Sequence, residues 1–221
     1  AMLLSLRKHH PTEPIYVVAD SETKQYIEKC APFLKSVHIT KTLDKYNGKN
    51  RKQMERDGTW TEFQMMKSRV MDSALMFSPD TLFMDSDILV LDKLRVNKKY
   101  DLGVSPHYIK KSETDQYGFF NGGFLWTKNK KVPEDWREFT KTSRFYDQAS
   151  IEDLAKKYNH FEFDETYNVG WWRLIHSPTD PKEFPKYFWI QGPTYKGRRL
   201  KCVHTHFDRN EIFYKDFNSV V

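Results

Sequence analysis

The stretch PDTLFMDSDILVLDKL, which begins at Pro79, limits what this chain can fold into more than any other feature. Two short apolar runs, Thr81–Met84 and Ile88–Leu91, enclose the acidic segment Asp85-Ser86-Asp87. A short apolar run opened by Pro and Asp is typical of a buried strand, and carboxylates have low strand propensity. We therefore expect the first run to be a strand that leaves its sheet at the acidic segment. Ligands bind at this end of the strands in open α/β sheets.

The two aspartates predict a site for a hard divalent cation. Successive side chains of an extended backbone point to opposite sides, so Asp85 and Asp87 are expected on one side and Ser86 on the other. Such a cation uses one or two protein carboxylates and keeps other positions for phosphate oxygens. His204 and His206 have the same spacing, and an imidazole could complete the site. The alternatives are a solvent-facing turn that caps a helix, and a pair of histidines at the surface or core edge.

Helical and extended patterns alternate along the chain, which is typical of an α/β protein with a parallel sheet. The 221 residues suffice for one substantial domain, and we expect a single domain over residues 1–221. Leu43–Thr59 is polar without a periodic pattern, so it is expected to be a mobile loop. The predicted helices are Ala1–His10, Ser21–Ala31 with Ser21 as its N-cap, Thr61–Phe77, Pro133–Phe145 and Asp147–Tyr158. The predicted strands, besides Thr81–Met84, are Ile15–Ala19, Ser36–Thr40, Asp101–Ser105, Phe119–Trp126 and Lys201–Phe207.

Composition excludes several classes of protein. Aromatic residues make up 15% of the chain, which is too much apolar bulk for a disordered protein. No apolar run reaches the roughly 18 residues of a membrane helix, so no membrane span is expected. Cys30 and Cys202 are the only cysteines and lack metal-site spacing, which favours a reducing compartment. We expect a cytoplasmic protein, with a lumenal catalytic domain without its anchor as the alternative. The net charge of +6 indicates a solvated basic surface and also suits a polyanionic small ligand such as a nucleotide diphosphate, so no nucleic-acid partner is expected.

Three other segments contain candidate binding residues. Asn121-Gly122-Gly123, between aromatic runs, indicates a strand entered through a tight glycine turn that lets a ligand come close, although Asn-Gly is also usual in hairpins. Asp147-Gln148 opens a predicted helix, where Asp is favoured for structural reasons alone. Lys67 and Arg69 lie on the polar side of a predicted helix, either as solvated residues or as phosphate partners.

Taken in chain order, these segments resemble nucleotide-sugar glycosyltransferases of the GT-A fold, and most closely the glycogenin-like and galactosyltransferase-like group known as family 8. That group typically has a lysine-led helix, an LDxD-type segment, an aromatic-Asn-Ser/Gly-Gly segment, an Asp-Gln pair, an LPxxYN-like stretch and a terminal HxxG-containing strand. The counterparts here are Lys67–Leu75 (KSRVMDSAL), Phe83–Leu91 (FMDSDILVL), Phe120–Phe124 (FNGGF), Asp147-Gln148, Phe163–Asn168 (FDETYN) and Val203–Phe207 (VHTHF).

The resemblance implies one GT-A (Rossmann-like) domain with a mixed, mostly parallel central sheet flanked by helices. Residues 1–100 would bind nucleotide and metal, and residues 101–221 sugar and acceptor. The implied activity is the metal-dependent transfer of a hexose or deoxyhexose from a nucleoside diphosphate sugar to a hydroxyl group, with retention of anomeric configuration. A UDP-sugar is the favoured donor and a glycan or protein-linked glycan the acceptor. The metal, Mn2+ or Mg2+, would be held by Asp85, Asp87 and His204. The implied donor-binding residues are Lys67, Arg69, Ser86, Gly122 and Gly123, and the implied catalytic residues are Asp147, Gln148 and Asn121.

The sequence departs from the family pattern in two places. Relatives begin with a strand whose end loop holds the uracil, whereas here the first predicted element is the helix that follows it. The lysine-glycine segment that follows the last histidine in relatives is also altered. Residues expected to close over the diphosphate are therefore Lys196, Arg198, Arg199 or Arg209.

Two other functions are alternatives. A sugar-nucleotide nucleotidyltransferase usually has a glycine-rich loop after its first strand, and the sequence contains none there. A basic nucleic-acid-binding module would need no donor pocket. The aromatic residues Trp171, Trp172, Tyr187 and Trp189 belong either to an acceptor groove or to the core.

Overall fold

The computed structural model describes residues 2–30, 34, 36–170 and 194–205. These residues belong to two compact units. The first unit contains residues 2–11, Met84–Val96, 163–170 and 194–205, and the second contains the described parts of Thr12–Phe83 and Asn97–Glu162. The chain therefore enters each unit more than once. The single domain with halves 1–100 and 101–221 stays a prediction.

The helices and strands follow the alternation expected from the sequence. The α-helices of the described residues are α1 (Met2–His9), α2 (Ser21–Cys30), α3 (Arg51–Arg56), α4 (Trp60–Gln64), α5 (Met66–Phe77), α6 (Lys111–Tyr117), α7 (Val132–Lys141), α8 (Tyr146–Ala149) and α9 (Ile151–Lys157). The strands in the same residues are β1 (Ile15–Ala19), β2 (Val37–Lys41), β3 (Thr81–Met84), β4 (Ile88–Val90), β5 (Leu102–Pro106), β6 (Phe120–Thr127), β7 (His160–Glu162), β8 (Val169–Gly170), β9 (Thr194–Tyr195), β10 (Arg198–Arg199) and β11 (Cys202–His204).

The first unit is built on a small sheet with the strand order β4-β11-β8. The middle strand β11 is antiparallel to β4 and parallel to β8, so Val203 lies opposite Leu89 on one side and Val169 on the other. All three residues are buried, as expected for apolar runs in the interior of a sheet. Helix α1 lies beside β4, where the Val90 amide donates to Ser5 Oγ (3.1 Å).

The second unit contains a four-stranded sheet with the order β3-β6-β5-β7. Strand β5 is antiparallel to β6 and parallel to β7, so the sheet is mixed. A separate parallel pair is formed by β1 and β2. The apolar faces of α5, α7 and α9 are buried together with residues of this sheet, which confirms the prediction of an α/β protein with a mixed sheet flanked by helices. The buried cluster consists of Met65, Met71, Leu102, Val104, Phe120, Leu125, Val132, Trp136, Ile151 and Leu154.

The loop predicted over Leu43–Thr59 is wrong, because this segment contains helix α3 and one turn of 3-10 helix at Asp44–Tyr46. A capping box starts α3: the Gln53 amide donates to Asn50 Oδ1 (3.0 Å) and the Asn50 amide donates to Gln53 Oε1 (2.7 Å). Reciprocal bonds of this kind satisfy amide groups that a helix leaves unpaired. They stabilise a helix that has only one buried residue, Met54.

Two predicted helices are each divided in two. The helix predicted over Thr61–Phe77 is interrupted at Met65, whose ψ of −4° ends α4 before α5 begins. The helix predicted over Asp147–Tyr158 is interrupted in the same way at Ser150, with ψ −17°. Periodicity did not reveal these breaks because the apolar spacing continues across them. Helix α7 ends at Lys141, four residues before the predicted end.

Helix α2 starts at the predicted residue but has a different cap. Asp20 Oδ1 accepts a hydrogen bond from the Thr23 amide (2.6 Å), so Asp20 and not Ser21 caps the helix. The Ser21 hydroxyl donates instead to Asp44 Oδ2 (2.8 Å). The Ser21 side chain, which was predicted to cap the helix, is therefore bound to a carboxylate distant in sequence.

Among the described helices, none combines the length and apolar character that a bilayer-spanning segment requires.

Candidate functional site

The acidic segment forms a turn between β3 and β4 rather than extended backbone. The Ile88 amide donates to the carbonyl oxygen of Asp85 (3.2 Å), which closes the turn. Asp85 and Asp87 have side chains that are each 27% exposed, and both approach the same histidine, whereas Ser86 is exposed. The grouping of the two carboxylates is as expected, but a turn produces it and not the alternation of a strand.

The histidine is His204, at the end of the central strand β11, with a side chain that is 5% exposed. His204 Nε2 lies 3.1 Å from Asp87 Oδ1 and 3.9 Å from Asp85 Oδ2. One ligand atom from each residue lies within 4.8 Å of the other two. The structure therefore brings together the three residues that the resemblance implied as metal ligands.

The distances from His204 to the two carboxylates are compatible with one divalent cation. At metal–oxygen distances of about 2.1 Å, neighbouring ligands of an octahedral ion are about 3 Å apart and opposite ligands about 4.2 Å apart. The distance from His204 to Asp87 (3.1 Å) matches neighbouring ligands, and that to Asp85 (3.9 Å) lies between the two values. Two carboxylates with one imidazole suit an ion such as Mn2+ or Mg2+, and three protein ligands leave the other positions of an octahedral ion for substrate oxygens or water.

Two residues that sequence reasoning did not assign hold this group in place. Thr205 donates to the carbonyl oxygen of Asp87 through both its amide (3.0 Å) and its hydroxyl (2.6 Å). Asn168 Oδ1 lies 3.0 Å from His204 Nδ1, and both residues are buried. The FDETYN segment, which ends at Asn168, had been matched to a family motif, but nothing local in the sequence connects this residue to a histidine 36 positions later.

In the second unit, the predicted residues Lys67, Gly122 and Asp147 form a cluster. The Asp147 side chain is 3% exposed, and its Oδ2 lies 3.0 Å from Lys67 Nζ. Lys67 also donates to the carbonyl oxygen of Gly122 (3.2 Å). A Cβ at position 122 would lie only 2.8 Å from Asp147 Oδ2. Glycine is therefore required here for the close approach of a carboxylate, and the lysine balances its charge in a buried setting.

The predicted turn at Asn121-Gly122-Gly123 is wrong. These residues lie inside β6, a continuous strand of eight residues that are all buried. Asn121 Oδ1 accepts a hydrogen bond from the Gly123 amide (2.8 Å), so the side chain bonds to its own strand. A positive φ of +100° occurs instead at Gly118, which lies before the strand begins.

Gln148 has polar partners in the second unit. Its Nε2 donates to the carbonyl oxygen of Tyr117 (2.9 Å) and lies 3.4 Å from His107 Nδ1. Arg69 is exposed on α5. The structure thus brings Lys67, Gly122 and Asp147 into contact but gives no such contact for Arg69.

Three of the four basic residues expected to close over a diphosphate lie on the β9–β10 hairpin of the first unit. Each pairs with a carboxylate: Lys196 with Glu165 (2.9 Å), Arg198 with Asp164 (2.8 Å) and Arg199 with Asp92 (3.6 Å). Other predicted positions lie outside the described residues, namely His206, Arg209, Trp171, Trp172, Tyr187 and Trp189.

No protein-family model matches the chain, and no curated protein matches it in sequence. Solved structures do match. Mouse xyloside xylosyltransferase 1 in its apo form is 13% identical with a TM-score of 0.55, over 95% of this chain and 91% of that protein. The glycosyltransferase GlyE of Streptococcus pneumoniae TIGR4 is also 13% identical, with TM-scores of 0.55 for its apo form and 0.52 for a second structure.

The coverage of the two neighbours differs. This chain is covered to 98% by both GlyE structures but spans only 55% and 56% of them, about half of their length. At this level of identity the likeness concerns the fold, and the chain is structurally similar to glycosyltransferases.

Proposed function

We propose that this chain is a metal-dependent glycosyltransferase. It would transfer a hexose or deoxyhexose from a nucleoside diphosphate sugar, with a UDP-sugar favoured, to a hydroxyl group of a glycan or protein-linked glycan. The observation that supports the proposal is the convergence of Asp85, Asp87 and His204, with ligand atoms within 4.8 Å of one another, in a fold similar to that of glycosyltransferases.

The proposed role of the three ligands follows from the difficulty of the reaction. Breaking the bond between the sugar carbon and the diphosphate leaves negative charge on the departing oxygens. A divalent cation at this site, Mn2+ or Mg2+, would supply charge neutralisation for that leaving group. Asp85, Asp87 and His204 would hold the ion on one side, and the half-buried carboxylates would keep it accessible to phosphate oxygens from the other.

The second cluster is proposed to contact the sugar. Asp147 would accept hydrogen bonds from sugar hydroxyls near the reacting carbon, and Lys67 and Gly122 would fix the position of its carboxylate. Gln148 and Asn121 would contribute further polar contacts. The remaining donor-binding residues proposed are Arg69, Ser86 and Gly123. Retention of anomeric configuration is proposed from the family 8 resemblance of these motifs.

Calorimetry with UDP, GDP and CDP, each with and without Mn2+, tests the proposal. We expect the wild-type chain to bind one of these nucleotides only with Mn2+. Asp87→Asn should weaken this binding at least about 100-fold, because loss of a direct ligand should exceed the 10- to 100-fold effect of outer-shell changes. Asp80→Asn is the matched control, since Asp80 forms a pair with Lys98 (2.6 Å) that involves none of the three ligands.

Unchanged nucleotide affinity of a folded Asp87→Asn variant in Mn2+ would contradict the proposed metal site. Hydrolysis of UDP- or GDP-sugars by the wild-type chain would identify the donor. Release of pyrophosphate from a nucleoside triphosphate and a sugar phosphate would favour a nucleotidyltransferase instead. Binding of nucleic acid without Mn2+, with an affinity that falls steeply as salt increases, would favour the nucleic-acid module.

A further inference from the structure

We propose that Asn168 is a positioning residue that holds Nδ1 of His204 and thereby fixes the direction of the ring, so that Nε2 faces Asp85 and Asp87. This inference rests on the proposed metal site. Its basis is a buried side-chain contact, in which Asn168 Oδ1 lies 3.0 Å from His204 Nδ1. The opposite nitrogen of the same ring is the one that lies 3.1 Å from Asp87 Oδ1.

The chemistry of the two side chains sets the direction of this hydrogen bond. An amide oxygen only accepts, so the proton between Asn168 and His204 belongs to Nδ1. A neutral imidazole carries one N–H, and its other nitrogen then holds a lone pair. Nε2 is then the nitrogen that faces the acidic segment, 3.9 Å from Asp85 Oδ2 and closer to Asp87. Without a cation, Nε2 can share a proton with Asp87, and a bound cation would take the place of that proton. The direction of the ring is the same in both cases.

The backbone at position 168 explains why asparagine serves here. Asn168 has φ +48°, in the left-handed region that asparagine, aspartate and glycine adopt more readily than other residues. Its amide donates to the buried Cys202 Sγ (3.1 Å), which anchors it to the strand that carries His204. Asparagine thus supplies both the backbone conformation and the acceptor, whereas glycine would supply only the first.

Strand pairing fixes the distance between the two residues. Asn168 directly precedes β8, and β8 runs parallel to β11 with Val169 opposite Val203 and Gly170 opposite His204. Because both strands are held in one register, the acceptor and the ring cannot slide past each other without breaking this ladder. The distance between Asn168 and His204 is therefore set by the pairing of the two strands.

Two substitutions distinguish the effect of the side-chain acceptor at position 168 from that of its backbone conformation. Asn168→Gly tolerates the left-handed φ and removes the side chain, whereas Asn168→Asp tolerates it and keeps an oxygen acceptor. Asn129→Gly is the control, because Asn129 Oδ1 accepts from a nearby amide, that of Lys131 (3.0 Å), in the second unit. Urea unfolding of each variant checks that it is folded.

Nitrogen NMR of the full chain labelled with 15N-histidine shows directly whether Nδ1 carries a proton. The spectrum is recorded without metal at about pH 8.5, above the ordinary histidine pKa, and the His204 signals are identified by their loss in His204→Gln. We expect a protonated Nδ1 in the wild-type chain and in Asn168→Asp, whether or not Nε2 shares a further proton with Asp87. In Asn168→Gly the Nδ1 signal should shift towards that of an unprotonated nitrogen. An unprotonated Nδ1 in the wild-type chain, or an unchanged Nδ1 signal in Asn168→Gly, would overturn the inference.

Mn2+ affinity, measured by calorimetry, gives a second readout. Asn168→Gly should weaken it by about 10- to 100-fold, as for other outer-shell partners of metal ligands, and Asn168→Asp should retain it to within a few-fold. An equal loss in both variants would show a merely structural role and overturn the inference. If Nδ1 is protonated as expected in the wild-type chain and the chain does not bind Mn2+, the positioning of His204 stands and the proposed metal-dependent function fails.

Discussion

Replacement of Gly122 by alanine tests how tightly the Asp147 carboxylate is packed against β6. The new Cβ would lie 2.8 Å from Asp147 Oδ2 and 3.5 Å from both its Cγ and the Cα of Gln148. Ordinary contacts to a Cβ begin at 3.4 Å, so the carboxylate oxygen must move by about 0.6 Å, enough to lose a substantial part of a well-packed contact. The Gln148 backbone, with its Cα at 3.5 Å, leaves little further space beside the new Cβ.

The structure also gives the size of the effect. Asp147 is 3% exposed and its Oδ2 lies 3.0 Å from Lys67 Nζ, so a displacement strains a buried ion pair. Overfilling a packed interior costs about 1–3 kcal/mol, and alanine regains about 0.5–1 kcal/mol of backbone entropy relative to glycine. We expect Gly122→Ala to lower the free energy of unfolding by about 1–2 kcal/mol.

A double-mutant cycle with urea unfolding isolates the carboxylate. In an Asp147→Ala background the atom that clashes is gone, so Gly122→Ala should be neutral or stabilising by about 0.5–1 kcal/mol. The coupling energy between the two sites should then be about 1–3 kcal/mol. An equal cost of Gly122→Ala in both backgrounds would refute the reasoning, since it would place the strain in the strand and not at Asp147.

Two further predictions concern local structure. Burial raises the pKa of the Cys202 thiol to about 12, so in a Cys30→Ser background a thiol-reactive disulfide reagent should label the native chain at about pH 8 far more slowly than the urea-unfolded chain. Rapid labelling of the native chain would contradict the burial of β11. Asn50→Ala should lower the free energy of unfolding by about 1 kcal/mol by removing the capping box of α3, whereas Lys52→Ala, at an exposed position of the same helix, should change it little. Equal effects of the two substitutions would mean that the cap contributes nothing.

The sequence predicted the elements whose boundaries are marked locally. Strands Ile15–Ala19 and Thr81–Met84 have the predicted bounds. Each is a short apolar run flanked by Asp or Pro, and these residues mark where the strand begins and ends. Helix α3 was missed although its signal was present, since asparagine followed three positions later by glutamine is a capping-box pattern. The polar character of the segment outweighed that signal. A capped helix with one buried residue has no apolar period to find.

The candidate site shows the same division between local and distant information. Asp85 and Asp87 could be found from their position after an apolar run. His204 and His206 could not be ranked by spacing alone, and the resemblance selected His204. The role of Asn168 was not predictable, because it depends on a left-handed backbone and on a hydrogen bond across 36 positions. Only the pairing of strands makes these residues neighbours.

The register of β11 aligns the residues of the candidate metal site with one another. Because β11 is antiparallel to β4, its last residue, His204, lies opposite Ile88, the residue that follows Asp87. A slip of one residue would turn the imidazole to the opposite face of the sheet and bring Val203 or Thr205, according to the direction of the slip, to its place. Thr205 opposes such a slip, because its amide and hydroxyl both bind the carbonyl oxygen of Asp87, at 3.0 and 2.6 Å. The same two bonds that hold the acidic turn therefore also determine which side chain of β11 faces it.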